Sequence, residues 1–393
     1  MKAIRQLFFV FSLSVFSGGC KLEVPGDLIE SNSFIHTFPI SGSQNGSYIH
    51  QTDDGGYLIL GHWQPNRNIT GNHSIVLKLD KYGNTELLTM LDDSMRDPSV
   101  IKLKDGNYLG LSSLLGAFWK FDDNGNLLFN KRIQLYQSIF STPIEGEDGN
   151  YYLSYARGGN GYSNYLESYS PSGDLLKSII VPWFNVNYRT VRLNLFAIEK
   201  VNTFYFIGDV WINKNFGGNT FLLKLKIDNT QIVSSQVELI DTICDNYASR
   251  FVVNNADHTT AVLIDQKDKK TAMNSGLLLS VDSNLNVLWR LKLIVQNSDT
   301  KINSLIKAQD GGYIASGYRI LTDKMQAFAS KVSKDGQIEW TRIYTSTYSG
   351  MINHGQQLKD GSFVFVGNTV SFGFGKNESD IFIIKTDKNG QLN

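Results

Sequence analysis

The six histidines, His36, His50, His62, His73, His258 and His354, are scattered, and the two cysteines stand far apart. A zinc site needs imidazole or thiolate ligands at converging spacings, and these offer none, so no metal is expected. Residues 122–126, Asp-Asp-Asn-Gly-Asn, begin like a calcium loop but lack its later ligands and distal glutamate. The G-x-S-x-G, H-E-x-x-H and P-loop patterns are absent, and no cofactor is expected. What remains is a set of polar groups embedded in apolar strands: Tyr48, His50, Tyr188, Arg189, Arg192, Arg250, Lys301, Asn303, His354 and Gln356. Of these, Arg189, Arg250 and His354 could converge as an anion-accepting mouth. The same groups would equally serve to hydrate a channel or to bridge neighbouring strands. A second set is aromatic. Trp63, Tyr162, Trp183, Phe184, Phe216, Phe372 and Phe374 lie in or beside segments rich in glycine and asparagine. Ring faces beside amide donors suit sugar or peptide recognition, and Trp63 and Trp183 are the leading candidates. Packing over a core is the competing role for each.

Such residues act together only if a scaffold gathers them, and the scaffold is written as a repeat. Asp-Gly pairs precede apolar strands at Asp54, Asp105, Asp148, Asp310 and Asp360, as in "DGGYIASGYR". Glycine accepts the positive φ of a tight turn, and aspartate can bond the backbone two residues on. Degenerate copies start near Val201 and Ala256, which makes the spacing about 43 to 55 residues, the range of propeller blades. A second turn series, "DKYGN", "DDNGN", "SPSGD", "IDNTQ", "DSNLN", "SKDGQ" and "DKNGQ", runs in step with the first. Each unit therefore reads as four antiparallel strands, and the pattern occurs seven times.

A stack of such meanders needs polar caps, whereas a closed ring protects its own edges. The termini favour the ring. The last unit, residues 350–386, lacks a fourth strand, and the chain supplies an orphan strand near Ser33 to Ile40. That segment is predicted to complete the last blade beside the strand around Phe382. Pro39 is tolerable there if the strand is an outer edge. The fold class expected is all-β: a seven-bladed β-propeller of four-stranded antiparallel blades, spanning residues 33–393, closed by an N-terminal strand.

With these residues in view, the units resemble the degenerate seven-bladed propellers of exported bacterial lipoproteins; "DGGYIASGYR…AFASKVSKDGQIEWTRIY" is the clearest copy. The resemblance implies a fold and no particular activity. Its sites usually lie around the channel mouth on the face carrying the second-to-third loops and the crossings between blades. Here those segments are long, while the opposite face has only tight turns, the asymmetry expected of a one-sided binding surface. "VDSNLNVLWRL" and "VSKDGQIEWTR" are also similar to the turn-then-tryptophan docking motif of quinoprotein propellers, through Trp289 and Trp340. The other units place Leu87, Phe129, Lys177 and Ser234 there, which favours shared blade packing over a cofactor fold.

Residues 1–19 have a basic start at Lys2 and Arg5 and an apolar run from Leu7 to Phe16, the layout of an export signal. Ser17-Gly18-Gly19-Cys20 resembles the bacterial lipobox, with Ser17 where the family usually has leucine. The resemblance implies lipidation of Cys20, a tether over residues 20–32, and delivery to the outer membrane. With Cys20 acylated, Cys244 has no disulfide partner, so packing alone must hold the fold. Lys plus Arg and Asp plus Glu are each 37, so no basic field attracts nucleic acid. The expected function is a non-enzymatic binding or interaction module for a glycan or an envelope protein. The competing expectation is a glycan-active hydrolase or lyase at the channel mouth.

Overall fold

The computed structural model describes residues 33–38, 42–65, 73–91, 99–112, 117–132, 138–140, 142–157, 163–181, 191–199, 202–211, 218–228, 231–254, 259–322, 324–345, 349–370 and 378–392. Blade 6 shows how the repeat folds. Its strands Asp299–Lys307, Tyr313–Leu321, Lys324–Val332 and Ile338–Ile343 pair antiparallel in that order. The second and third strands are buried along most of their length on both faces, so they read as near-continuous apolar runs. The fourth is exposed or half-exposed throughout, as an outer edge should be.

The described residues form seven such blades: 43–91, 99–132, 138–181, 191–241, 245–293, 299–343, and 350–386 with 34–38. Blades 4 and 5 share one long strand, Gln231–Asn254. Its first half pairs with Gly218–Asp228 as the outer strand of blade 4, and its second half pairs with Thr260–Lys267 as the inner strand of blade 5. The two degenerate copies of the repeat are thus second strands, Thr203–Trp211 and Thr260–Lys267.

Closure is visible in the core and in the sheet. Seven clusters of buried side chains each span two consecutive blades, and one of them joins Val364, Val366, Ile381 and Ile383 of blade 7 to Ile49, Ile59 and Leu77 of blade 1. An open stack of seven would lack that last cluster. Phe34–Phe38 pairs antiparallel with Asp380–Thr386, Phe34 opposite Lys385 and Phe38 opposite Ile381. The terminal strand therefore completes blade 7 as expected; Pro39 lies outside the described residues.

The Asp-Gly turns carry a side-chain device that the repeat repeats. In blade 1, Gly55 has φ 86° and the Gly56 amide donates to Asp54 Oδ1 at 3.0 Å. A third-strand lysine then reaches the same carboxylate: Lys78 to Asp54 at 2.8 Å, Lys120 to Asp105 at 2.7 Å, Lys331 to Asp310 at 2.7 Å. Each ties the first turn of its blade to the third strand.

The turn-then-tryptophan residues pack blade on blade. A Cβ built on Gly336 of blade 6 would lie 2.7 Å from the ring of Trp289 of blade 5, and one on Gly390 of blade 7 would lie 2.7 Å from Trp340 of blade 6. Phe129 covers Gly173 and Leu87 approaches Gly125 in the same manner. Across the closure Phe34 and His36 cover Gly83. Phe34 pairs with Lys385 as Trp340 pairs with Lys331, so the N-terminal strand also supplies this contact.

Candidate functional site

Register alone assigns the two faces. One carries the tight turns, such as residues 52–56 and 80–84, closed by backbone bonds from Gly55 to Thr52 and from Gly83 to Asp80. The other lies at the opposite ends of the strands, where second strands lead to third and blades lead to the next, at ends such as Gln64, Leu91, Val181, Trp211 and Thr369 from which the loops leave. Most of those loop residues lie outside the described set, Trp183, Arg189, Tyr162, Phe184, Phe216, Phe372 and Phe374 among them, as does Cys20.

Five of the inner strands share an irregularity. Register shifts fall between Gly46 and Tyr48, Leu195 and Ala197, Ala248 and Val252, Ile302 and Ser304, and Ile352 and His354. In blade 3 the strand is broken outright into Ser138–Phe140 and Ile144–Glu145. A bulge frees one residue from the ladder and re-aims its side chain. In blades 6 and 7 the freed residue is asparagine. Asn303 donates to the Ile352 carbonyl at 2.9 Å, and Asn353 donates to the Gly46 carbonyl at 2.9 Å and to Asn45 Oδ1 at 2.5 Å. Each asparagine thus satisfies the carbonyl that precedes the next blade's bulge. Arg250 falls in the corresponding irregular stretch of blade 5; its backbone is placed and its side chain lies outside the described residues.

Below that belt, toward the tight-turn face, blades 7, 1 and 2 bring together a group of titratable side chains. His354 Nδ1 accepts from the Ile49 amide at 3.4 Å, and its ring lies 4.4 Å from that of Tyr48. Gln356 Oε1 accepts from the Gln51 amide at 2.7 Å. Lys102 Nζ lies 3.1 Å from His50 Nε2, and the Tyr108 hydroxyl donates to Asp123 Oδ1 at 2.7 Å. Burial and the neighbouring Lys102 ammonium lower the His50 pKa to about 4; burial and His50 lower that of His354 to about 3. Both imidazoles are neutral at neutral pH, so His354 brings no positive charge to the channel. Burial raises Tyr48, and burial with the Asp123 hydrogen bond raises Tyr108.

Trp63 stands at the loop-side end of the second strand of blade 1, half-buried, its ring 5.7 Å from His73 and packed against the cluster joining blades 7 and 1. The structure therefore brings His354 and His50 together and sets Trp63 elsewhere. Lys301 is exposed on the inner strand of blade 6. Asp380, on the loop side of the interface of blades 6 and 7, was not legible as special in the sequence. It is fully buried, both carboxylate oxygens have no hydrogen-bond partner among the described residues, and burial, then Glu378, raises its pKa to about 6. Among the described residues no three His, Cys, Asp or Glu side chains could hold a metal ion, and no helix is long and apolar enough to cross a membrane.

No protein-family model matches the chain, and no curated protein does. Solved structures do match. An ulvan lyase of a polysaccharide-lyase family aligns over 90% of this chain and 96% of its own with TM-score 0.57 and 6% identity. A catalytically inactive virginiamycin B lyase from Staphylococcus aureus aligns over 90% and 99% with TM-score 0.52 and 10% identity. A protein of unknown function from Dyadobacter fermentans aligns over 89% and 99% with TM-score 0.51 and 10% identity. At these identities the likeness is one of fold.

Proposed function

We propose that this chain is a lipid-anchored envelope propeller that binds a glycan or protein partner through its loop-rich face without catalysing a reaction. The observation that carries the reading is the use made of the channel's polar groups. The His354 Nδ1 and the Gln356 amide oxygen accept backbone amides of blade 1, and Asn303 and Asn353 are committed to the next blade's carbonyls. Groups that hold the ring together are poorly placed to change protonation during a reaction. Loops leaving the same ends of the strands are free to vary in sequence while the seven cores stay fixed. Replacing Trp63 and Trp183 together is expected to weaken retention on a glycan array while the thermal transition moves by a few degrees at most. Unchanged retention would mean that the rings only pack. Cys20→Ser is expected to release the protein from membranes into the soluble fraction; continued membrane retention would remove the anchor from the proposal.

A second reading, a glycan lyase, is favoured by His50 beside Lys102 and Tyr108 at the tight-turn end of the channel. A neutral imidazole can take a proton, and an adjacent ammonium can steady a uronate carboxylate. The ulvan lyase and virginiamycin B lyase with this fold lend the class of reaction. Ultraviolet absorbance from unsaturated products, present with the wild-type chain and lost with His50→Ala, would establish it; no absorbance across a panel of acidic polysaccharides would sink it.

A further inference from the structure

Two blade interfaces depart from the packing rule of the other five, and one of them leaves a gap. The residue paired with the third strand at the plug position is Leu87, Phe129, Trp289, Trp340 or Phe34 in five blades, each directed onto the glycine of the next blade's turn. Between blades 4 and 5 the position is Ser234, and the next turn compensates: Leu285, with φ 64° and only 1% exposed, stands where glycine is expected and fills the space from the other side. Between blades 3 and 4 the described residues supply neither device. Lys177 holds the plug position, opposite Ser168, and in blade 4 the third and fourth strands are already paired at Asp228 and Gln231.

A cavity of about 140 Å³ occupies the vacated place. Tyr152, Phe204, Leu166, Ile179 and Ile227 wall it, the first two with ring centroids 5.7 Å apart, and Ser168 and Lys177 edge it. An engineered apolar cavity of about 150 Å³ takes up benzene, so this one is sized for a single ring. Lys177 is exposed at the rim with no ion-pair or hydrogen-bond partner among the described residues. The strand that carries it, Leu175–Val181, is an outer edge paired only with Ser163–Tyr169, and it exposes Leu175, Leu176 and Ile180 at 56, 56 and 60%. What sets this outer edge apart from the others is the ring-sized hole beside it, and an edge with exposed aliphatic side chains can take up a polypeptide segment.

We propose that the cavity between blades 3 and 4 is a docking pocket for one aromatic side chain of a partner protein, borne on a segment with a carboxylate next to the ring. The partner supplies from outside what the preceding blade supplies at the other interfaces. The carboxylate meets Lys177. This site lies apart from the loop-rich face, so its success or failure is independent of the function proposed above.

Calorimetric titration of the whole chain tests it with three capped tripeptides: tryptophan between two glutamates, leucine between two glutamates, and tryptophan between two lysines. The first is expected to bind in about the millimolar range, as suits one side chain without a preorganised partner. The leucine peptide should bind at least about ten-fold more weakly. Lys177→Trp, which copies the plug of blades 5 and 6, should abolish binding and raise the thermal transition. Lys177→Gln, a change at an exposed position, should keep the preference for tryptophan and lose the preference for glutamate over lysine. Binding that survives Lys177→Trp, equal binding of the leucine peptide, or uptake of free indole acetate without any of the peptides would overturn the proposal.

Discussion

His354 and Asp380 are both buried against their charged forms, and they respond to acid with opposite sign. An imidazole whose folded pKa is near 3 stays neutral while its unfolded counterpart protonates below about 6.5, so the folded state loses stability as pH falls from about 6.5 toward 3. His354→Gln keeps an acceptor for the Ile49 amide and cannot titrate. It is expected to flatten the loss between pH 7 and pH 5 by about 2 kcal/mol, read from urea midpoints at the two values. Asp380 has a folded pKa near 6 against an unfolded value near 4, so its ionised form costs stability fully above about pH 6 and the cost is gone below about pH 4. Asp380→Asn should stabilise the fold by about 1 kcal/mol at pH 7.5 and by nothing measurable at pH 4. Equal gains at both values would mean that the carboxylate is not the source.

The blades depend on contacts between one outer strand and the next turn. Trp340→Ala empties the space over Gly390 and removes the edge-on contact with Phe363, 5.8 Å between centroids. The expected cost is about 3 kcal/mol, at the low end for a large aromatic because the ring is only partly buried. Leu285→Gly should cost a similar amount, since at that interface the turn itself is the plug and the preceding blade offers Ser234. These plug positions were visible in the sequence as Trp289, Trp340, Leu87 and Phe129. Phe34 was not, because its partnership with Gly83 exists only after closure. The empty place at Lys177 was marked by residue type alone; that Asp228 and Gln231 already pair opposite it needed the register of blade 4.

At the scale of the whole ring, the N-terminal strand Phe34–Phe38 contributes both a ladder and a plug to blade 7. A chain beginning at residue 42 exposes the edge of Asp380–Thr386 and should unfold at a lower temperature and self-associate, because a bare apolar strand is a template for pairing. Size-exclusion chromatography and a thermal scan check this; a monomeric protein of unchanged stability would show that the closing strand is dispensable.

The sequence by itself determined the repeat, the two turn series and the partner of the orphan strand, because each is a local pattern: glycine at positive φ, alternating apolar residues, and a unit one strand short. It also named most of the groups that meet across blades 7, 1 and 2. Tertiary structure decided which of these touch and what charge they carry. His50 and His354 are neutral because three blades bury them together, Trp63 turns into an interface, Asp380 is stranded in one, and the cavity beside Lys177 opens because two blades both withhold a side chain. None of these follows from spacing along the chain, since each depends on atoms that different blades bring to the same point.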